Sequence, residues 1–252
     1  MTNSNITNFW HLIHVEKSPS TNSELRDLIM ADKAGAGDVL WADSQTQGRG
    51  RFDRQWISPA GNISISFAVD LGNQSGKSYQ LNLVAGLSVL KTLKKLSVNG
   101  VSLKWPNDVL VNGKKVCGLL SEIISEKNTA IIGVGINLNS TAFDFPGDLQ
   151  NSLTTVYDSL LIKLDIKLVV NDLLGQLASD IQIYQKNGFE AIRNEFKNEL
   201  AWQNKTVTVT ESSTSFEGVQ HDIDADGFLV IKMSDGNLRT VLAGDVRLAN
   251  EI

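Results

Sequence analysis

Hydrophobic patterning predicts β-strands along three stretches of the chain, two of which alternate between apolar and polar residues. From Asn62 to Leu71 every second residue is apolar, as in a strand with one buried face. Val39 to Ala42 predicts a shorter buried strand, and Thr129 to Asn139 alternates again. The second face of that last strand carries Gly133, Gly135, Asn137 and Asn139. Such a strand can form the floor of a ligand pocket, although a bulge or tight packing on a neighbour would also explain it.

Helical periodicity marks four other stretches. A helix is predicted to begin at Ser20 and Thr21, where Thr21 and Glu24 have the spacing of a capping box. Longer helices are predicted for Lys77 to Leu96, Lys167 to Asn187 and Phe189 to Trp202. Gly188 separates the last two, because glycine favours the end of a helix.

The stretch Val101 to Ile124 predicts a β-hairpin, because two β-rich runs flank the turn pair Asn112-Gly113. With a two-residue turn, Asp108 pairs with Cys117, and Lys115 points to the same face of the sheet as Asp108. A lysine at this position could meet an anion while the aspartate holds a magnesium ion. A solvated hairpin tip would carry the same lysine without any such role.

The pattern changes near the end of the chain. From Lys205 onward, turn signals recur about every 8–12 residues between short β-rich runs. The turns are Glu211 to Thr214, Asp224 to Gly227 and Ser234 to Asn237. This spacing predicts a small β-barrel appended to an α/β body, with a boundary near Gln203 and domains at residues 1–202 and 203–252.

Composition narrows the class of protein. The chain has 252 residues, of which 42% are hydrophobic and 20% charged, and a formal net charge of -5. These values are typical of a globular protein with one or two domains, and the acidic balance argues against a wholly basic nucleic-acid surface. Met1 to Trp10 contains no apolar signal-peptide run, and the apolar region Leu81 to Val98 carries three lysines. We therefore expect neither a secretion signal nor a membrane span.

Cysteine and histidine content narrows the chemistry. The single cysteine, Cys117, excludes an internal disulfide and is interpreted as a small buried hydrophobe. Together with the missing secretion signal, this predicts a cytoplasmic protein. Neither zinc nor haem is expected, because cysteine and acidic neighbours at metal-ligand spacing are missing around His11, His14 and His221.

A basic, glycine-rich segment, Thr46 to Trp56, interrupts this acidic chain. It places Gly48, Arg49, Gly50 and Arg51 in a row. Glycine permits close backbone approaches, and the arginine guanidinium matches phosphate and carboxylate groups. By itself the segment is compatible with a phosphate clamp, a nucleic-acid patch or an idle solvated loop.

Several motifs in order resemble those of the biotin protein ligases. They are Ser20-Thr21-Asn22, GRGR from Gly48 to Arg51 with Trp56 after it, KWPND from Lys104 to Asp108, KKVCGLL from Lys114 to Leu120, and GVGIN from Gly133 to Asn137. The resemblance extends from about His14 to the C-terminus. It implies an α+β fold, in which a mixed-sheet catalytic domain with helices, similar to that of class II aminoacyl-tRNA synthetases, precedes a small SH3-like β-barrel.

The resemblance implies an ATP-dependent ligase that works in two steps. Biotin and ATP would form biotinyl-5′-AMP and pyrophosphate, with Mg²⁺ accompanying the triphosphate. Biotin would then pass to a lysine of a biotin carboxyl carrier protein, in acetyl-CoA carboxylase or a related carboxylase. The expected enzyme is cytoplasmic, acts as a monomer or homodimer, and binds neither DNA nor membranes.

The resemblance also implies roles for individual residues. The catalytic residues would be Lys115, Arg49 and Arg51. Biotin contacts would come from Ser20, Thr21, Asn22, Gln45, Gly48, Arg49, Gly50, Arg51, Lys115 and Gly118. ATP and adenylate contacts would come from Arg49, Arg51, Trp56, Lys104, Asn107, Asp108, Lys115, Gly133, Gly135 and Asn137. Asp108 would also contact magnesium, and Trp56 would either cover the adenine or pack in the core. The segment Thr46 to Trp56 would be mobile when empty, and Arg54 receives no role.

Two departures from the family pattern matter. Few residues precede the matching motifs, so the helix-turn-helix domain of some family members has no room and DNA binding is not expected. Ala249 stands where some members have a C-terminal arginine, with Arg247 two positions away, so whether the barrel contacts ATP is left open by the resemblance. The nearest alternative is a lipoate–protein ligase, against which the GRGR run and the terminal barrel argue. A DNA-binding biotin sensor, or a binding module without catalysis, is the alternative from another class.

Overall fold

A mixed sheet forms the body of the protein in the computed structural model, which describes residues 2–6, 9–52, 54–72 and 77–249. Its strands are β1 (Thr2–Ile6), β2 (Trp10–Ser18), β3 (Asp38–Gln45), β4 (Ile63–Asp70), β5 (Val101–Lys104), β6 (Asp108–Val111), β7 (Lys114–Ile124) and β8 (Thr129–Ile136). They lie in the order β1-β2-β3-β4-β8-β7-β6-β5. Strands β2 and β3 are parallel, and the other described neighbours pair antiparallel, so the predicted mixed sheet is confirmed.

Helices cover both faces of this sheet. Those in the described ranges are α1 (Thr21–Met30), α2 (Tyr79–Lys95), α3 (Val156–Leu160), α4 (Ile166–Asn187) and α5 (Glu190–Asn198). Alternate strand residues serve opposite faces: Leu12 joins the core under α2 and α4, whereas Ile13 joins the smaller core under α1. The long predicted helices are confirmed, although the last ends at Asn198, four residues before the predicted end at Trp202.

The start of α1 differs from the prediction. The capping box between Thr21 and Glu24 is wrong, because Ser20 takes the N-cap position and no side chain caps the helix. Thr21 is the first helical residue, and its hydroxyl instead donates to Gln45 Oε1 at 3.2 Å and accepts from Ser66 Oγ at 2.7 Å. Strands β3 and β4 bring these partners beside the helix end, so tertiary contacts replace the local cap.

The predicted hairpin forms with one change of register. Asn112 and Gly113 make the turn with φ of 49° and 80°, which is the backbone that an Asn-Gly pair favours. A β-bulge follows, so Asp108 lies opposite Gly118, and the predicted pairing of Asp108 with Cys117 is wrong by one residue. Lys115 and Asp108 nevertheless point to the same face, as predicted, with Nζ 2.6 Å from Oδ1.

The second sheet is antiparallel and follows the helices. Its strands are β9 (Thr206–Glu211), β10 (Thr214–Ile223), β11 (Leu229–Lys232), β12 (Leu238–Val241) and β13 (Asp245–Leu248). They lie in the order β12-β11-β10-β9-β13. The indole N–H of Trp105 donates to the Gly227 carbonyl at 3.0 Å, which fixes the second sheet against the first. None of the described helices is long and apolar enough to cross a membrane.

Candidate active site

A cleft of about 830 Å³ opens beside the large sheet, where the second sheet meets it. It gathers residues that are far apart in the sequence. Of the residues implied above, it is lined by Ser20, Thr21, Asn22, Gln45, Arg49, Gly50, Arg51, Trp56, Lys104, Asn107, Asp108, Lys115, Gly118, Gly133, Gly135 and Asn137. Gly48 is the exception, because it packs behind the wall against the backbone of Trp56. The structure therefore brings nearly the whole predicted set to one place.

The floor of the cleft consists of glycines on adjacent strands. A Cβ on Gly135 would lie closer than 3.0 Å to the Trp56 indole, and a Cβ on Gly118 would lie 2.9 Å from Trp56 Cζ3. Trp56 therefore lies directly on the floor, and its buried indole nitrogen has no hydrogen-bond partner. Gly133 similarly makes room for Asn22. The glycines on the predicted polar face of β8 therefore leave room for the side chains of Trp56 and Asn22.

One end of the cleft is a hydrogen-bonded cluster at the start of α1. The backbone N–H of Thr21 donates to Gln45 Oε1 at 2.8 Å. The Ser66 hydroxyl lies 2.7 Å from Thr21 Oγ1 and 2.6 Å from Asn22 Oδ1, so it orients both side chains. Ser66 is fully buried. The motif comparison did not single it out, and the only signal was a hydroxyl on the second face of a strand that is buried on both faces.

Arg49 reaches this cluster through a glutamate that the sequence analysis missed. Its Nη1 lies 3.0 Å from Glu122 Oε1, and the other carboxylate oxygen of Glu122 accepts from Asn22 Nδ2 at 2.9 Å. Glu122 therefore joins the arginine segment to the polar end of the cleft. Glu122 reaches this cluster because it lies on β7, on the same face as Gly118 and further along the strand. No local motif indicates this contact.

Arg51 occupies the middle of the cleft wall. Its Nη1 donates to Asn107 Oδ1 at 2.8 Å, and it lies 3.9 Å from Asp245 Oδ1. Burial lowers the pKa of the Arg51 guanidinium, while the charges of Asp245 and Asp108 act to raise it. A half-buried cation of this kind gains from an anionic ligand, because the ligand would offset the cost of its desolvation.

Two lysines and one carboxylate form the cationic end. Lys115 Nζ lies 2.6 Å from Asp108 Oδ1, and Lys104 Nζ lies 3.8 Å from Asp108 Oδ2. Lys115 Nζ also lies 5.5 Å from the centre of the Trp56 ring. Burial lowers the pKa of Lys104, with a further decrease from the charge of Lys115 and an opposing effect from Asp108. The trio leaves an excess of positive charge beside the glycine floor.

Asn137 lies at the same end of the cleft. Its side chain is buried, and Nδ2 donates to the Thr154 carbonyl at 3.2 Å. Its Oδ1 has no hydrogen-bond partner. A buried acceptor without a donor is costly unless a ligand supplies one.

Cys117 takes no part in this chemistry. Its side chain is fully buried, and burial raises the pKa of the thiol. The interpretation of Cys117 as a small core residue is therefore confirmed.

The second sheet contributes residues to the cleft, although the resemblance implied no contact from this part of the chain. Asp245 and Arg247, on β13, both line it. The segment after β8 adds apolar side chains at Phe145, Leu149 and Leu153. None of these positions carries a local signal, because only the docking of the second sheet and the path of the chain after β8 bring them to the site.

The described residues contain no group of three or more His, Cys, Asp or Glu side chains that could hold a metal ion. Asp108 is the acidic residue nearest the cations, and both its oxygens face lysines. This donor set fits a Mg²⁺ ion only if ligand phosphates and water supply most of the coordination.

Fold and cleft together define a two-sheet α/β protein whose cation-lined, glycine-floored site suits an anionic ligand. Comparison with known proteins narrows this class. Residues 13–139 match the Biotin/lipoate A/B protein ligase family, and residues 204–248 match the Biotin protein ligase C terminal domain.

Full-length relatives agree with both matches. The bifunctional ligase/repressor BirA of Bacillus subtilis is 30% identical over 250 residues, which covers 94% of this chain and 74% of that protein. The biotin–[acetyl-CoA-carboxylase] ligase of Mycobacterium tuberculosis is 30% identical over 241 residues, which covers 92% of this chain and 86% of that protein. The structure of the Aquifex aeolicus biotin protein ligase in complex with biotin and ATP superposes with a TM-score of 0.85 at 28% identity, over 95% of this chain and 99% of that one. The chain belongs to the biotin protein ligase family.

Proposed function

We propose that this protein activates biotin with ATP and transfers it to a lysine of a biotin carboxyl carrier protein. The observation that carries the proposal is the position of Lys115. Asp108 holds its ammonium group 2.6 Å away, beside the glycine floor and within 5.5 Å of the Trp56 ring. A cation at this point can serve both the carboxylate and the phosphate that must react.

In the first step, an oxygen of the biotin carboxylate attacks the α-phosphorus of ATP. The bond from that phosphorus to the β-bridging oxygen breaks, and pyrophosphate leaves with the electron pair. Two anions must approach each other, so cations fixed before the reaction lower the barrier more than mobile ones. We assign this task to Lys115 and Arg51. Arg49 would bind the adenylate once the ligand replaces Glu122 as its partner.

In the second step, the amine of the carrier lysine attacks the carbonyl carbon of the biotinyl adenylate. The bond from that carbon to the phosphate oxygen breaks, AMP leaves, and the nitrogen loses a proton to form the amide. The mixed anhydride is sensitive to water, so the enzyme must hold it until the carrier arrives. The segment 46–56 is the proposed cover, and its order in the occupied state remains a prediction.

The cleft divides naturally between the two substrates. Ser20, Thr21 and Asn22 offer hydroxyl and amide groups of the kind that a ureido ring requires, and Gly118 leaves room for the chain of the acid. At the cationic end, the unpartnered Oδ1 of Asn137 can accept a hydrogen bond from an adenine amine. Trp56, which lies on the floor between them, can contact either part.

Magnesium is proposed to accompany ATP rather than to occupy a site made by the protein alone. The ion would neutralise the triphosphate and help pyrophosphate to leave. Asp108 is its proposed protein contact, although in the structure this carboxylate pairs with Lys115 and Lys104.

The wider setting follows from the same proposal. The partner is the carrier domain of acetyl-CoA carboxylase or a related carboxylase, the location is the cytoplasm, and the protein works as a monomer or homodimer. We also propose that the catalytic domain comprises residues 1–202 and the terminal domain residues 203–252.

Substrate-dependent exchange of labelled pyrophosphate into ATP tests the function. With magnesium present, biotin should support exchange and lipoate should not. An apo carrier domain should then gain one biotin, seen as a mass increase, and its lysine-to-arginine variant should not. Exchange with lipoate alone would replace the proposal with lipoate ligation, and binding of biotin without any exchange would leave a binding module.

A further inference from the structure

Arg54 is the one arginine of the segment 46–56 that the reaction leaves unused. Its Nη2 donates to Asp245 Oδ2 at 2.9 Å, across 191 residues of sequence and from one domain to the other. The same carboxylate lies 3.9 Å from Arg51 through Oδ1. One aspartate of the second sheet thus faces two arginines of the segment.

Asp245 differs from an ordinary surface carboxylate in its burial and in its pKa. Its side chain is only 27% exposed, whereas that of Arg54 is 63% exposed. Burial acts to raise the pKa of Asp245, but the hydrogen bond from Arg54 and the charges of Arg54, Arg51 and Lys104 outweigh it and lower the pKa. The carboxylate is therefore held in its charged form by cations that all belong to the catalytic domain.

Short backbone connections link this contact to the cleft. The N–H of Gly50 donates to the Arg54 carbonyl at 2.7 Å, and the N–H of Arg54 donates to the Arg51 carbonyl at 3.2 Å. Arg49 and Gln55 form an isolated β-bridge around them. A restraint on Arg54 therefore restricts Gly50 and Arg51, both of which line the cleft.

We propose that Asp245 and Arg54 form a latch that holds the arginine segment against the second domain and so retains the adenylate. Both residues line the cleft, and we assign them as positioning residues that act through Arg51 and Gly50. The proposal rests on the proposed function for its ligand, but not for the latch itself. It gives the second domain a specific task at the catalytic site.

The latch and an ion pair that only stabilises the fold predict different effects on ligand release. A partly exposed pair contributes little to folding, so its removal should hardly change the unfolding temperature. Its removal should instead allow the segment 46–56 to move away from the second domain more readily, a motion that must precede release of the adenylate. The adenylate should leave faster, while the affinity for biotin before activation changes less.

The test uses the full chain as wild type, Asp245→Asn, Arg54→Gln and the double variant. Glu211→Gln is the matched control, because Glu211 pairs with Arg239 inside the second sheet, away from the cleft. Each protein is loaded with biotinyl-5′-AMP and chased with excess unlabelled ligand. We expect either single variant to release it about 3–10-fold faster, the double variant no faster than either, and Asp245→Glu to restore slow release.

Hydrogen–deuterium exchange without any ligand provides an independent readout. The amides of residues 48–56 should exchange faster in Asp245→Asn and Arg54→Gln than in wild type and Glu211→Gln. Unchanged exchange and release in both single variants, or fully additive effects in the double variant, would overturn the latch. Failure of the wild type to bind the adenylate would instead contradict the proposed function, and the exchange comparison would still decide the latch.

Discussion

At the scale of single residues, the site depends on which cations have partners before a ligand arrives. Arg49 is paired with Glu122, Arg51 with Asn107, and Lys115 with Asp108. Each pairing fixes a flexible side chain in place, at the cost of a competitor that the ligand must displace. We expect Lys115 to bind an anion at the lowest cost, because Asp108 can stay paired with it while an anion approaches its other side.

Replacing Lys115 by alanine should reduce the rate of biotin-dependent pyrophosphate exchange by about 10²–10³-fold, the usual effect of removing one fixed group that stabilises charge in a transition state. Folding should change little, because the side chain is about one-third exposed. Thermal unfolding and exchange kinetics measure both. Lys95→Ala, at an exposed lysine of α2, serves as the control. Equal exchange rates in Lys115→Ala and wild type would remove Lys115 from the mechanism.

Gly135→Ala tests the glycine floor. The added methyl would overlap the Trp56 indole, so the ring must move or the strands must part. We expect destabilisation of about 1–3 kcal/mol in urea unfolding, together with weaker binding of biotin in calorimetric titration. Gly147→Ala, which has no atom within 4 Å of the added Cβ, should change neither quantity. An unchanged affinity in Gly135→Ala would show that Trp56 can leave the floor freely.

Site residues that lie in recognisable motifs could be predicted from the sequence. Residues that reach the site only through the packing of distant segments could not. Lys115, Arg51 and Gly135 lie in short segments whose composition indicates their chemistry. Ser66 and Glu122 reach the site because β4 and β7 happen to pass beside α1, and a single strand position carries no mark of its neighbour. The prediction of contacts across the sheet would have required the strand order.

At the scale of elements, hydrophobic periodicity predicted type and position better than ends and register. The alternation in β4 and β8 located both strands, since one face of each is wholly apolar. The capping box failed because strands next to Thr21 offered better partners than Glu24. The bulge in β7 could not be read from the hairpin, because it accompanies a contact outside the hairpin: the Val116 carbonyl accepts from the N–H of Asn137, just after β8.

Helix α4 offers a matched pair of glycine substitutions. Gly175 lies inside the helix, and an added Cβ would meet no atom within 4 Å, so Gly175→Ala should stabilise the protein by about 0.5–1 kcal/mol. Gly188 ends the helix with φ of 74°, so Gly188→Ala should destabilise it. Urea unfolding with an unchanged slope measures both. Opposite signs are expected, and equal signs would contradict the backbone argument.

At the scale of the whole molecule, ion pairs join the two domains at three separate places. Asp245 meets Arg54, Asp222 meets Arg193 and Lys197, and Asp226 meets Lys77. In each case the acid belongs to the second domain and the cation to the first. The sequence could not predict this docking, because charges that lie up to 191 positions apart show no pattern until the fold is known.

This polarity predicts how acid should affect the interface. Burial acts to raise the pKa of Asp222, but hydrogen bonds from Lys197 and the Ile223 amide, with nearby cations, outweigh it and lower the pKa; Asp245 behaves similarly. A carboxylate with a lowered folded-state pKa contributes its full stabilisation above about pH 3.9 and loses it as the pH falls through the lowered value. Limited proteolysis between residues 198 and 206 should therefore become faster as the pH falls below about 4, because these carboxylates then become protonated.

The control for this prediction is Asp222→Asn, which lacks one titrating group. Its cleavage at neutral pH should already be faster than that of wild type, and its further increase in acid should be smaller. An acid profile identical to that of wild type would show that Asp222 does not set the pH dependence of docking.

The contact between Arg54 and Asp245 also has a consequence for biosynthesis. Ribosomes extend a chain at about 5–20 residues per second, so the 191 residues between the two partners take roughly 10–40 s to make. During that time the growing polypeptide contains Arg54 but not yet the carboxylate of Asp245. An unfinished chain would therefore be poorly suited to keep a reactive intermediate, and the order of translation itself would delay activity until the last strand is in place.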